Sequence, residues 1–149
     1  MSLKEKLSDE LKASMKAKDK VKKNTVQGIR AAVLQFEKDN KVVLDDDGVL
    51  DIISRQLKMR RDALPEYEKS GRSELIDELK AEIDIIMSYL PAQLSDDELE
   101  AVVAENIQLF DVKSVKEIGK VMPALIQKTK NRADGRRIKD VLVKLLTSQ

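Results

Sequence analysis

With 149 residues, 42% of them apolar and 37% charged, the chain can bury one core or two small ones and carries more charge than the usual quarter. Its net charge is only +1, so any attraction to nucleic acid must come from charge sorted along the chain. It has no Cys and no His, which excludes disulfides, thiol nucleophiles, Cys/His zinc sites and His-based acid–base catalysis, and fits a reducing compartment.

The first ten residues lack an apolar leader run and include three acids, a pattern that predicts neither a signal peptide nor a transit peptide. No later stretch approaches the length of a membrane span. The resulting expectation is a cytoplasmic protein with no membrane partner.

Apolar residues recur at helical spacing from end to end. Leu3, Leu7, Leu11 and Met15 form a first stripe; Val26, Ile29, Val33 and Phe36 a second; Val49, Ile52, Ile53 and Leu57 a third; Leu75, Leu79, Ile83, Ile86 and Leu90 a fourth. Three shorter stripes follow: Leu99, Val102, Val103 and Phe110; Val115, Ile118, Met122 and Leu125; Ile138, Val141, Leu142 and Leu145. Each predicts a helix with one apolar face, and no run alternates with the period of a strand.

Start and stop signals agree with this reading. Ser2, Ser95 and Ser114 each precede a Glu by three residues, the spacing of a capping box. Asp45, Asp46 and Asp47 suit the start of the third helix. Pro65 is expected to break or kink that helix near its end, and Gly71 to separate it from the fourth. Pro91 should stop the fourth helix near Leu90, because the residue before a proline is biased away from helix. Pro123 is expected to kink the sixth helix, and Gly119 to permit close packing or approach of a partner. The expected fold class is all-α: an N-terminal four-helix module, 1–91, and a C-terminal three-helix module, 92–149.

Residues 1–91 hold 18 basic and 18 acidic side chains, whereas the charges beyond them are sorted. Asp96, Asp97, Glu98, Glu100, Glu105 and Asp111 make the fifth helix acidic; Lys113, Lys116, Lys120, Lys128, Lys130, Arg132, Arg136, Arg137, Lys139 and Lys144 make the last two basic. That basic set is either a solvated face complementing the acidic helix or a polyphosphate-binding surface. Asn131-Arg132-Ala133-Asp134-Gly135-Arg136-Arg137 spells a helix stop, a tight turn and a new start. In it Asn131 takes the left-handed conformation and Asp134 the N-cap. Arg136 and Arg137 would then stand in the first turn, beside free N–H groups, as an anion site.

Other features carry less. Gly119-Lys120 lacks the other residues of a phosphate-binding loop, and Asp45 to Gly48 lacks the spaced ligands of a calcium loop. The acids Glu74, Asp77, Glu78, Glu82 and Asp84 lie on a polar helix face. Tyr67, Tyr89, Phe36 and Phe110 are too scattered to stack bases; Tyr89 and Phe110 are read as packing residues near the module junction. No cofactor, metal site or catalytic residue is predicted.

Tyr89-Leu90-Pro91-x-Gln93-Leu94-Ser95, Gly119-Lys120-Val121-Met122-Pro123 and Lys130-x-Arg132-Ala133-Asp134-Gly135 together resemble the signature run of the YqeY-like family. The resemblance covers the whole chain, with Lys58-x-Arg60 and Arg72 in its first part. It implies an all-helical protein whose C-terminal part is similar to the tail domain of the B subunit of the tRNA-dependent amidotransferase, a domain that contacts tRNA. The sequence departs from the pattern at Asn131, where the family usually has Gly, and at Pro65, inside a helix that many members continue. The expectation is therefore a non-catalytic, tRNA-binding accessory protein with Lys120, Lys128, Lys130, Arg132, Arg136 and Arg137 as RNA contacts. The alternatives are an adaptor that docks on an amidotransferase or aminoacyl-tRNA synthetase, and an amidotransferase-type carbon–nitrogen ligase component.

Overall fold

The computed structural model describes residues 1–147. They form seven α-helices and one short 3-10 turn, with no strand among the described residues. The chain divides into two compact units, Met1–Leu90 and Pro91–Gln149. Among the described residues no helix is long and apolar enough to cross a membrane.

In the first unit, α1 (Leu3–Lys16), α2 (Lys20–Asn40), α3 (Asp46–Ser70) and α4 (Ser73–Met87) enclose Leu7, Val26, Ile29, Val33, Val49, Ile53 and Ile86, with Tyr89 beside them. Burying each such aliphatic side chain contributes about 1.5–3 kcal/mol, so this shared apolar face holds the helices together. Polar pins fix the helix ends. Ser2 caps α1 by accepting from the Glu5 N–H, and the Leu3 N–H donates to Asp46 at the start of α3. Glu37 accepts from Lys4 Nζ (2.5 Å) and from the Leu44 N–H (2.6 Å); the Lys4 bond, then the Leu44 bond, hold its carboxyl below the usual range. Asp45 caps α3 through the Gly48 N–H, and Gly71 ends it with φ 69°.

Pro65 does not end α3, which runs on to Ser70. A proline removes one backbone bond, and here its ring lies on an exposed face where no packing is lost. The fourth helix stops at Met87, after which Ser88, Tyr89 and Leu90 turn back through bonds to Asp84, Ile86 and Met87 carbonyls. Two stripe residues of the first unit are not core: Met15 is 56% exposed and Leu75 40%.

In the second unit, α5 (Asp96–Leu109), α6 (Ile118–Lys128) and α7 (Gly135–Thr147) surround Leu94, Leu99, Val103, Val121, Leu125, Ile138 and Leu142. Ser95 and Glu98 complete a capping box on α5. Ser114 does not: it precedes the 3-10 turn Val115–Glu117 without a side-chain cap bond, and α6 begins only at Ile118. Pro123 lies within α6, and nothing lies within 4 Å of a Cβ added at Gly119, so that glycine serves no close helix contact. Phe110 is 38% exposed at the end of α5, against expectation, whereas Tyr89 is buried in the first unit.

Ile53 is fully buried at the centre of the first unit's core. Ile53→Ala should lower the unfolding free energy by about 2–5 kcal/mol, the cost of lost transfer energy plus a cavity. Urea titration followed by circular dichroism measures it.

Candidate nucleic-acid interface

The α6–α7 turn is built by local hydrogen bonds. Thr129, almost fully buried, donates its hydroxyl to the Leu125 carbonyl (2.7 Å) and accepts at its own carbonyl from the Arg132 and Ala133 N–H groups. Asn131 takes the left-handed conformation, φ 64°, which Asn tolerates better than most residues. Asp134 then caps α7, accepting from the Arg137 N–H at 2.9 Å. Stop, turn and start fall where the sequence places them.

What the turn does with its side chains differs from a bare anion site. The Leu94 N–H donates to the Arg132 carbonyl (2.9 Å), and Arg137 Nη2 donates to the Leu94 carbonyl (2.7 Å). Gln93 Nε2 donates to the Asn131 carbonyl (2.8 Å), and Arg132 Nε to the Ala92 carbonyl (3.3 Å). The turn thus clamps residues 92–94 ahead of α5. Two of the three sequence motifs meet here, and much of their polarity is spent on holding the unit together. Gln93 was not singled out in the sequence as a polar partner; its place beside Pro91 in the first motif is the signal for it.

The six candidate cations are distributed along α6, the turn and the start of α7. Lys120 is exposed and pairs with Glu117 at 2.8 Å, a bond that raises the lysine and lowers the glutamate from their ordinary values. Lys128 donates to Oδ1 of the buried Asn106 (2.9 Å), whose amide nitrogen donates to the Val102 carbonyl. Lys130 and Arg136 are exposed, each with an interaction within the protein, while Arg132 and Arg137 are half-buried. Arg137 also reaches Asp96 at 3.3 Å, and Lys144 reaches Glu100 at 3.3 Å. The acidic α5 therefore neutralises part of the basic set. Among the described residues no group of three or more acidic or other ligand side chains could hold a metal ion.

The fold and this turn define an all-helical protein with a motif-bearing C-terminal unit in which an acidic helix precedes two basic ones. The sequence profile described as "Yqey-like protein" matches residues 4–146, and the chain belongs to the YqeY-like family. Its curated relatives include "Altered inheritance of mitochondria protein 41, mitochondrial" from three fungi. The protein from Pyrenophora tritici-repentis is 24% identical over 130 residues, 85% of this chain and 71% of the relative. That from Lachancea thermotolerans is 34% identical over 85 residues (56% and 46%), and that from Kluyveromyces lactis 31% identical over 87 residues (58% and 47%). The match thus spans under half the length of the latter two. These names overturn the cytoplasmic expectation. It rested on the charge pattern of ten residues, and helices of this composition fold alike in any aqueous compartment.

Arg137→Ala should destabilise the protein by about 1.5–3 kcal/mol through the lost bond to the Leu94 carbonyl. Asp96→Asn should cost less than about 0.5 kcal/mol, since Asp96 is almost wholly exposed; thermal melts of both variants compare them. Glu98 is held below its ordinary value of 4.5, chiefly by bonds from the Ser95 N–H and hydroxyl. A depressed carboxylate adds stability above that value and loses it as pH falls through the folded pKa. The stability gap between wild type and Glu98→Gln should therefore be widest near neutral pH and close in acid, as followed by denaturation at a series of pH values.

Proposed function

We propose that the protein is a non-catalytic accessory factor that binds structured RNA, with tRNA as the ligand. In this reading residues 1–91 act as a four-helix module, and residues 92–149 as a three-helix tail-like module that carries the contacts. The observation that supports it is the concentration of Lys128, Lys130, Arg132, Arg136 and Arg137 around the Asp134-capped turn, with Lys120 further back on α6. Within that set, Lys120, Lys128, Lys130 and Arg136 are the exposed heads, and each would exchange a partner within the protein for a phosphate. Arg132 and Arg137 shape the turn and lend their remaining N–H donors. A ligand of phosphates needs no base-reading platform, in keeping with two Phe, two Tyr and no Trp in the chain. The absence of Cys and His is in keeping with a binding rather than a catalytic role.

A second reading, the adaptor on an amidotransferase or synthetase, draws on Leu109 (66% exposed), Val115 (41%) and Ile126 (49%) in the second unit. A cell pull-down whose protein partners are unchanged by RNase would favour it.

Binding of a labelled tRNA transcript should weaken steeply with salt, log K falling by up to ~0.9 per phosphate contact in duplex regions. Lys130→Gln with Arg136→Gln should lower that slope by about 1–2 and weaken binding at low salt without loss of helicity. Arg137 is unsuitable for this test because its loss disturbs the clamp. Unchanged tRNA affinity in the folded double variant would remove the proposed site.

A further inference from the structure

The first unit is neutral as a whole, but its charge is not evenly spread. Residues 12–23 contain six lysines, Lys12, Lys16, Lys18, Lys20, Lys22 and Lys23, against one acid, Asp19. They occupy the end of α1, the connection and the first turn of α2. Asp19 is committed to capping α2, accepting from the Lys22 N–H at 3.1 Å. None of the six ammonium groups forms an ion pair among the described residues. The contrast with the C-terminal set is sharp, since every candidate cation there has a partner within the protein.

Geometry gathers three of these charges, Lys18, Lys20 and Lys23. The connection turns tightly: Lys18 adopts φ 57°, and the Lys18 and Asp19 N–H groups bond back to the Met15 and Ser14 carbonyls. This folds the two lysine-bearing helix ends against each other around a depression of about 320 Å³ lined by Ser14, Met15, Lys18, Asp19, Lys20 and Lys23. Four of the six lysines are exposed, and Lys22 and Lys23 are half-buried. Six unpaired like charges within twelve residues, three of them (Lys18, Lys20 and Lys23) lining one depression, repel one another, and a polyanion that neutralises them releases counterions and gains affinity.

We infer that the α1–α2 hairpin is a second RNA-binding surface, taking the phosphate backbone of a duplex region through these lysines. Lysine heads are mobile point charges suited to phosphates rather than base edges, and the patch contains no aromatic ring or Arg. A bilayer surface is a poorer occupant, because binding there combines charge with a buried apolar face. Met15 is the lone exposed large apolar side chain between residues 2 and 33. The preference for phosphate stands on the hairpin alone; the choice of RNA as its source rests on the function proposed above.

The test uses the full chain, a labelled tRNA transcript and vesicles of phosphatidylcholine with phosphatidylglycerol. Lys16→Gln/Lys20→Gln/Lys23→Gln should weaken tRNA binding roughly tenfold or more at low salt and lower the salt slope by about 2–3. Lys16→Gln/Lys20→Gln changes only exposed side chains and should lower the slope by about 1.5–2; it decides the matter if the triple variant folds poorly. Weakening by these variants while Lys130→Gln/Arg136→Gln binds like wild type would support the hairpin and remove the C-terminal site. Unchanged affinity and slope in the folded hairpin variants overturns the inference, whatever the C-terminal variant does. So does loss of vesicle binding with tRNA binding intact.

Discussion

Leu94 has both of its peptide groups taken by the α6–α7 turn: its N–H by the Arg132 carbonyl and its carbonyl by Arg137. A short connecting segment with a buried side chain cannot leave such groups unpaired without a cost of about 1–3 kcal/mol each. The turn must therefore keep its shape, which requires Asn131 to stay left-handed and Asp134 to cap α7. The clamp ties the segment ahead of α5 to the start of α7 and holds the turn on which Lys130 and Arg136 stand. Residues that look like a phosphate grip in the sequence are, in part, the fasteners of a small domain.

The same accounting separates two kinds of basic surface. At the C-terminal turn the acidic α5 supplies counter-charges, as in the contacts of Arg137 with Asp96 and Lys144 with Glu100. These exposed pairs are weak, so a phosphate can compete for the cations, but each contact must first be given up. At the α1–α2 hairpin the six lysines form no ion pair among the described residues, and the acid between them, Asp19, is already in use as a cap. An averaged charge of zero over the first 91 residues conceals this, because the neutralising acids lie at Asp45–Asp47 and along α3 and α4 instead.

The relatives carry a name that describes mitochondrial inheritance, not a reaction or a bound molecule. Charged side chains already paired within the protein must give up a contact to bind a ligand, whereas unpaired ones such as Lys16 and Lys20 do not.

The helices and most of their ends could be read from the sequence because they depend on neighbours three or four residues away. The apolar stripes mark Val26, Ile29, Val49, Ile53, Ile138 and Leu142, all buried; Asp45, Ser95, Asp134 and Gly71 mark the ends they occupy. Local pattern failed where the outcome depended on distant parts of the chain. Pro65 is accommodated because its face meets solvent, Ser114 loses its capping box to a 3-10 turn, and Met15 and Leu75 continue their stripes past the edge of the core. The partners of Arg137, Arg132, Gln93 and Lys128 lie 22 to 43 residues away. Sequence spacing fixes which face of a helix a side chain leaves from, whereas the acceptor it meets there is set by how the helices pack.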